Sequence, residues 1–211
     1  MDERTWERIE RGRGRWDVLR HPFYQRWTAG ELTREELAHY AGQYRHAVEA
    51  IAEMSAAAAA AMPDRPELGR HAAEEVGHVR LWDGFVDACG GDLDAEPTAE
   101  TTECVGIWTA TDDPVANLAR LYAVESGQPE ISRTKREGLA AFYGIDDPEA
   151  TRFFTVHEEA DVWHRQVERE ALGRVAATPV DQERALASAE RCLDALNGAL
   201  DGVMRENGLA V

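Results

Sequence analysis

Along most of the chain apolar residues recur at intervals of three and four, and the two-residue alternation of half-buried strands is nearly absent. Thr33 followed by Glu36 forms a capping box opening a long helix, "TREELAHYAGQYRHAVEAIAEMSAAAAAAM", which ends at the Pro63 and Pro66 break. Helical spacing resumes from about Glu67 to Cys89 and is closed by Gly90 and Gly91, and a weaker segment covers roughly 98 to 109. Asp113 as cap with Pro114 in the first turn starts the next helix, which Pro129 kinks or breaks. "YGIDDP" (143–148) marks a turn before a helix containing "HEEADVWHR", and a last helix runs from about 179 to 206. The pattern predicts one all-α domain over residues 1–211, a bundle of seven or eight helices.

Composition narrows the functional classes. With 40 acidic against 23 basic residues the formal net charge is −17, so a nucleic-acid partner, which needs basic patches, is not expected. Lys135 is the sole lysine, and an acid-rich, lysine-poor surface suits solubility at high salt. The scattered Cys89, Cys104 and Cys192 argue against a disulfide framework. No apolar run is long enough to span a membrane and the charged N-terminus does not read as a signal peptide, so a cytoplasmic location is expected.

Candidate chemistry lies where polar residues interrupt apolar stripes. His157, Asp161 and His164 step by four and three, within about 60° of one another on a helix and bordering its apolar sector. Glu158, Glu159 and Arg165 point away from that face. Glu75, His78, Trp82 and Phe85 form a second seam, to which His71 and Glu74 are nearby alternatives. Glu125 follows Leu118 and Leu121 at a position where the pattern calls for leucine. A buried unpaired carboxylate is costly, so a cation should face it. Three carboxylates and three imidazoles from three helices are enough for two transition-metal ions, and oxygen and nitrogen donors without thiolate favour iron or manganese, with zinc also compatible. The competing reading treats the same residues as buried ion pairs and satisfied core histidines.

The stretches "HPFYQRW", "LAHYAGQYRHAVEA", "EEVGH", "LYAVESGQPEISRTKREGLAAFYG" and "FFTVHEEADVWHRQ" resemble the haem-oxygenase-like di-iron oxidases, and within them the CADD-like para-aminobenzoate synthases. The resemblance covers most of the chain, from residue 21 to the end of the helix holding His164. It implies a haem-oxygenase-like fold and metal ligands at Glu75, His78, Glu125, His157, Asp161 and His164, with two iron ions, or manganese at one site, O2 as co-substrate and an external reductant. The Glu75-x2-His78 spacing is similar to that of UndA-type fatty-acid decarboxylases rather than to the longer insertion of CADD, and Glu74 is the alternative first ligand. Tyr24 and Tyr40 match the family's tyrosine positions and Lys135 its sacrificial lysine, which implies para-aminobenzoate made for folate from the protein's own side chains. Val124 stands where a tyrosine would precede the central glutamate. An oxygenase acting on an external small molecule and a non-enzymatic interaction protein are the alternatives; a homodimer is expected of such bundles.

Overall fold

A computed structural model describes residues 1–110 and 112–210. Nine α-helices make up the described residues, α1 (Glu3–Arg15), α2 (Pro22–Ala29), α3 (Arg34–Ala61), α4 (Pro66–Cys89), α5 (Ala99–Trp108), α6 (Pro114–Glu125), α7 (Gln128–Gly138), α8 (Arg152–Val175) and α9 (Pro179–Glu206). A 3-10 turn (Val18–Arg20) precedes α2 and a π-turn (Leu139–Tyr143) extends α7. The all-α expectation holds. No helix is long and apolar enough to cross a membrane among these residues.

Helix ends follow local chemistry. Thr33 Oγ1 accepts from the Glu36 amide at 3.2 Å while Glu36 Oε2 accepts from the Thr33 amide at 2.7 Å, and Thr178 with Asp181 repeats the device at α9. Asp113 caps α6 as its spacing predicts, and Gly90 ends α4 at φ 73°. The rod after Asp113 breaks at Ser126–Gly127, so that Pro129 falls in the first turn of α7, where its missing N–H costs no bond.

The N-terminal helix α1 and the short α2 have no counterpart among the helices predicted from the sequence. Trp6 and Ile9 are the large apolar anchors of α1, three residues apart, amid eight charged side chains, too sparse a stripe to register as periodic. Both are nonetheless buried, and α1 packs on α9. Elsewhere α3 lies along α4, α5 and α6 flank α9, and α8 touches α4, α6 and α7. The three helices carrying the interrupted stripes are therefore α4, α6 and α8, which surround one part of the core, while α2, α3 and α7 border an aromatic layer beside it.

Candidate metal centre

Each polar position on those stripes is buried. His71, Asp161 and His164 are 0% exposed, Glu75 and Glu125 2%, His157 4% and His78 6%. Their donor atoms fall into two groups sharing one carboxylate: His71, Glu75, Glu125 and His164 form the first, and Glu75, His78 and His157 the second, with the atoms of each group within 4.8 Å of one another. His71 Nε2 lies 3.1 Å from Glu125 Oε2, His78 Nδ1 2.9 Å from Glu75 Oε1, and His164 Nδ1 3.4 Å from Glu125 Oε2. The His71 and His164 rings stack at 4.0 Å and those of His78 and His157 lie 4.4 Å apart. Asp161 sits beside the first group, its Oδ1 3.0 Å from His164 Nδ1. Glu74, half-buried, reaches His164 Nε2 at 2.9 Å from the rim, and Glu75 occupies the interior.

Two residues enlarge the set expected from sequence. His71 precedes His78 by two turns on the same seam and joins the first group. Glu168 continues the α8 stripe four residues beyond His164; it is 0% exposed, with Oε1 4.0 Å from His71 Nδ1. Its signal was present in the spacing 157, 161, 164, 168, which carries the same seam one step past the pattern ending at His164.

The donors suit a cation. Both nitrogens of His71, Oε1 of Glu75, Nδ1 of His78, both oxygens of Glu125, Oδ2 of Asp161 and both oxygens of Glu168 are buried and make no hydrogen bond. Buried polar atoms are ordinarily paired, and so many orphans in one place mark a site built for a bound charge. The proton affinities agree. Burial pushes the Asp161 and Glu168 carboxyls upward, Glu168 further under the nearby Glu125 charge. Burial opposes ionisation of Glu125 too, but His71 and His164 outweigh it and hold Glu125 well below the ordinary range. For His164, burial is outweighed by the Asp161, Glu125 and Glu74 carboxylates, and its pKa is pushed up to about 12. A buried set of nitrogen and oxygen donors without thiolate is compatible with a bound transition-metal ion.

A second buried cluster adjoins this one. Tyr24 Oη and Tyr40 Oη are 2.6 Å apart, and Lys135 Nζ donates to Tyr40 Oη at 3.1 Å. Lys135, from α7, is 1% exposed, and its ammonium group faces rings rather than acids: Tyr44 at 4.7 Å, Tyr24 at 5.0 Å and Trp82 at 5.9 Å from their centroids. Burial without a carboxylate partner pulls its pKa down to about 7. The same burial raises the Tyr24 and Tyr40 phenols well above their usual value. Trp82 links the clusters, edge-on to Phe153 at 4.8 Å, while Phe153 stacks on His157 at 3.9 Å. Trp27 Nε1 donates to the Lys135 carbonyl at 3.1 Å, and its indole presses on Gly138, where a Cβ would lie 2.7 Å from Trp27 Cδ1. The glycine thus lets α7 approach closely enough to present Lys135. The three thiols are buried, with Cys89 and Cys104 pushed up to about 12 and Cys192 also raised by burial, so none is an activated nucleophile.

An all-α bundle around a buried cluster able to hold a metal ion fits a metal-dependent enzyme, and the chain belongs to the haem-oxygenase-like family of iron-containing redox enzymes, whose profile matches residues 38–197. Among its relatives, the 4-aminobenzoate synthase of Nitrosomonas europaea is 37% identical over 209 residues, covering 88% of this chain and 85% of that protein. The 4-aminobenzoate synthase of Chlamydia trachomatis is 32% identical, covering 89% and 86%. Solved structures give the same fold: a haem-oxygenase-like protein of unknown function from Shewanella denitrificans has a TM-score of 0.82 at 23% identity over 99% of this chain and 94% of its own. A TenA homologue from Pseudomonas syringae has a TM-score of 0.82 at 16% identity, covering 96% and 92%.

Proposed function

We propose that this oxidoreductase makes 4-aminobenzoate by an O2-dependent reaction that consumes its own Tyr24 and Lys135. The observation that carries the proposal is the placement of the chain's sole lysine, buried with a pKa near 7, in a hydrogen-bonded chain with Tyr40 and Tyr24 beside the candidate metal centre. Relatives named 4-aminobenzoate synthase support the product.

The proposed ligands are Glu75, His78, Glu125, His157, Asp161 and His164, joined by His71, with Glu75 shared between the two positions. Two iron ions, or one iron and one manganese, would supply O2 activation there, with electrons from an external reductant. The chain's own residues account for the remaining requirements. Tyrosine carries Cβ and its oxygen para to each other, as the carboxyl and amino groups of 4-aminobenzoate are, so a tyrosine ring needs its oxygen replaced by nitrogen and its Cβ freed as the carboxyl carbon. Lys135 is the nearby nitrogen source, and burial favours its unprotonated amine, whose lone pair is free to attack. Tyr40 positions both groups: its hydroxyl accepts from Lys135 and bonds Tyr24, offering a path for a proton between them. The Trp27, Trp82 and Phe154 side chains, all fully buried, give the reacting groups an apolar surround.

The test omits any organic substrate. Fe(II)-loaded protein given O2 and reductant is expected to yield 4-aminobenzoate at no more than one equivalent per chain. Repeated turnover of an added small molecule, without 4-aminobenzoate in its absence, would instead assign an external-substrate oxygenase.

A further inference from the structure

If Tyr24 releases a ring, the ring must leave the fold. A cavity of about 180 Å3 opens at the junction of α1, α2, α6, α7 and α9 and reaches inward to Tyr24, Tyr44, Gln128 and Lys135. None of the candidate metal ligands lines it, although Val124, the neighbour of Glu125, does. Its volume suits one ring with a small substituent, because an apolar cavity of about 150 Å3 holds benzene. Leu193, Leu196 and Ile131 supply apolar wall, while Gln128, 5% exposed, places an amide at the inner end within 3.4 Å of Tyr44 Oη. A second cavity touching this cluster, beside Tyr40, holds about 20 Å3, room for a water molecule and not a ring.

Arg13 stands at the outer end. Its Nε and Nη2 both donate to one oxygen of Glu10, at 3.1 and 2.7 Å, and Nη1 lies over Gly127, 3.2 Å from where a Cβ would be. Arg13 and Lys135 are the two cations lining the cavity, and if Lys135 is consumed Arg13 remains. Glu10, Asp17 and Glu130 line the same cavity, so an anion held by Arg13 is held weakly and released to solvent.

We propose that this cavity is the binding and exit site for a single-ring aromatic carboxylate, with the ring between Ile131 and Leu196 and the carboxylate on Arg13. The assignment of that ligand rests on the proposed function. The test is equilibrium dialysis of the full-length Fe(II)-loaded protein with 4-aminobenzoate under nitrogen. The wild type is expected to bind one equivalent; Arg13→Gln to weaken 4-aminobenzoate about tenfold or more, as loss of a charge-assisted hydrogen bond does, without weakening aniline; and Ile131→Trp to abolish binding of both. Unchanged affinity of Arg13→Gln for 4-aminobenzoate overturns the proposal, and because Arg13 is partly exposed that variant decides the matter even if Ile131→Trp fails to fold. Because ligand is supplied from outside, the assay is independent of self-consumption. The predicted binding together with intact Tyr24 and Lys135 after turnover would sink the self-consuming reaction and leave the cavity as a site for an external ring.

Discussion

At the scale of single residues the decisive group is Lys135. Arginine at 135 keeps the positive charge but has no primary amine, so Lys135→Arg is expected to stop 4-aminobenzoate formation while iron content, measured by atomic absorption, stays at the wild-type value. An external-substrate oxygenase would keep its activity in that variant. Lys135→Met tests the burial argument. With a folded pKa near 7 against 10.5 unfolded, the unfolded chain binds the extra proton between those values, so the lysine penalises the fold fully below pH 7 and progressively less as pH rises. The Met variant should therefore be more stable than wild type by a few kcal/mol in urea unfolding at pH 7, and the gain should shrink towards pH 10. A pH-independent difference would contradict the assigned shift. For the metal centre, Glu75→Ala should lower iron content at both positions because the carboxylate is shared, whereas His157→Ala should spare the group that lacks it.

At the scale of helices, what could be read in advance depended on whether the information was local. The Thr33 capping box, Asp113, Gly90 and the stripes through Glu75 and His157 are periodic or terminal features, and the structure places them as their spacing predicts. Glu168 was equally local, one step further along the α8 seam than the pattern ending at His164 reaches. The meeting of Tyr24, Tyr40 and Lys135 was not legible from periodicity, because it joins α2, α3 and α7 across 95 residues between Tyr40 and Lys135; only the resemblance pointed to it. The helix α1 escaped because two aromatic or aliphatic anchors among many charges leave too thin a stripe. Gly138 ties the element scale to function. Gly138→Leu must displace the Trp27 indole, which overpacks the core at a cost of about 1–3 kcal/mol and shifts the helix presenting Lys135. Its melting temperature should fall, and its product yield should fall further than a surface change of equal stability cost.

For the whole molecule, charge and metal dominate. A net charge of −17 on 211 residues repels itself, so the melting temperature should rise between low salt and about 0.5 M NaCl as screening shortens the Debye length. Four buried carboxylates, Glu75, Glu125, Asp161 and Glu168, face four histidines in the centre, and a bound cation stabilises the native state in proportion to its affinity. Chelation should accordingly lower the melting temperature of the wild type more than that of Glu75→Ala. The central claim, that the protein spends its own side chains, is tested most directly by intact-mass and peptide mass spectrometry of Fe(II)-loaded protein before and after O2 and reductant. The account predicts mass loss confined to the peptides containing Tyr24 and Lys135, in step with the 4-aminobenzoate formed; both peptides unchanged alongside oxygen uptake would contradict it.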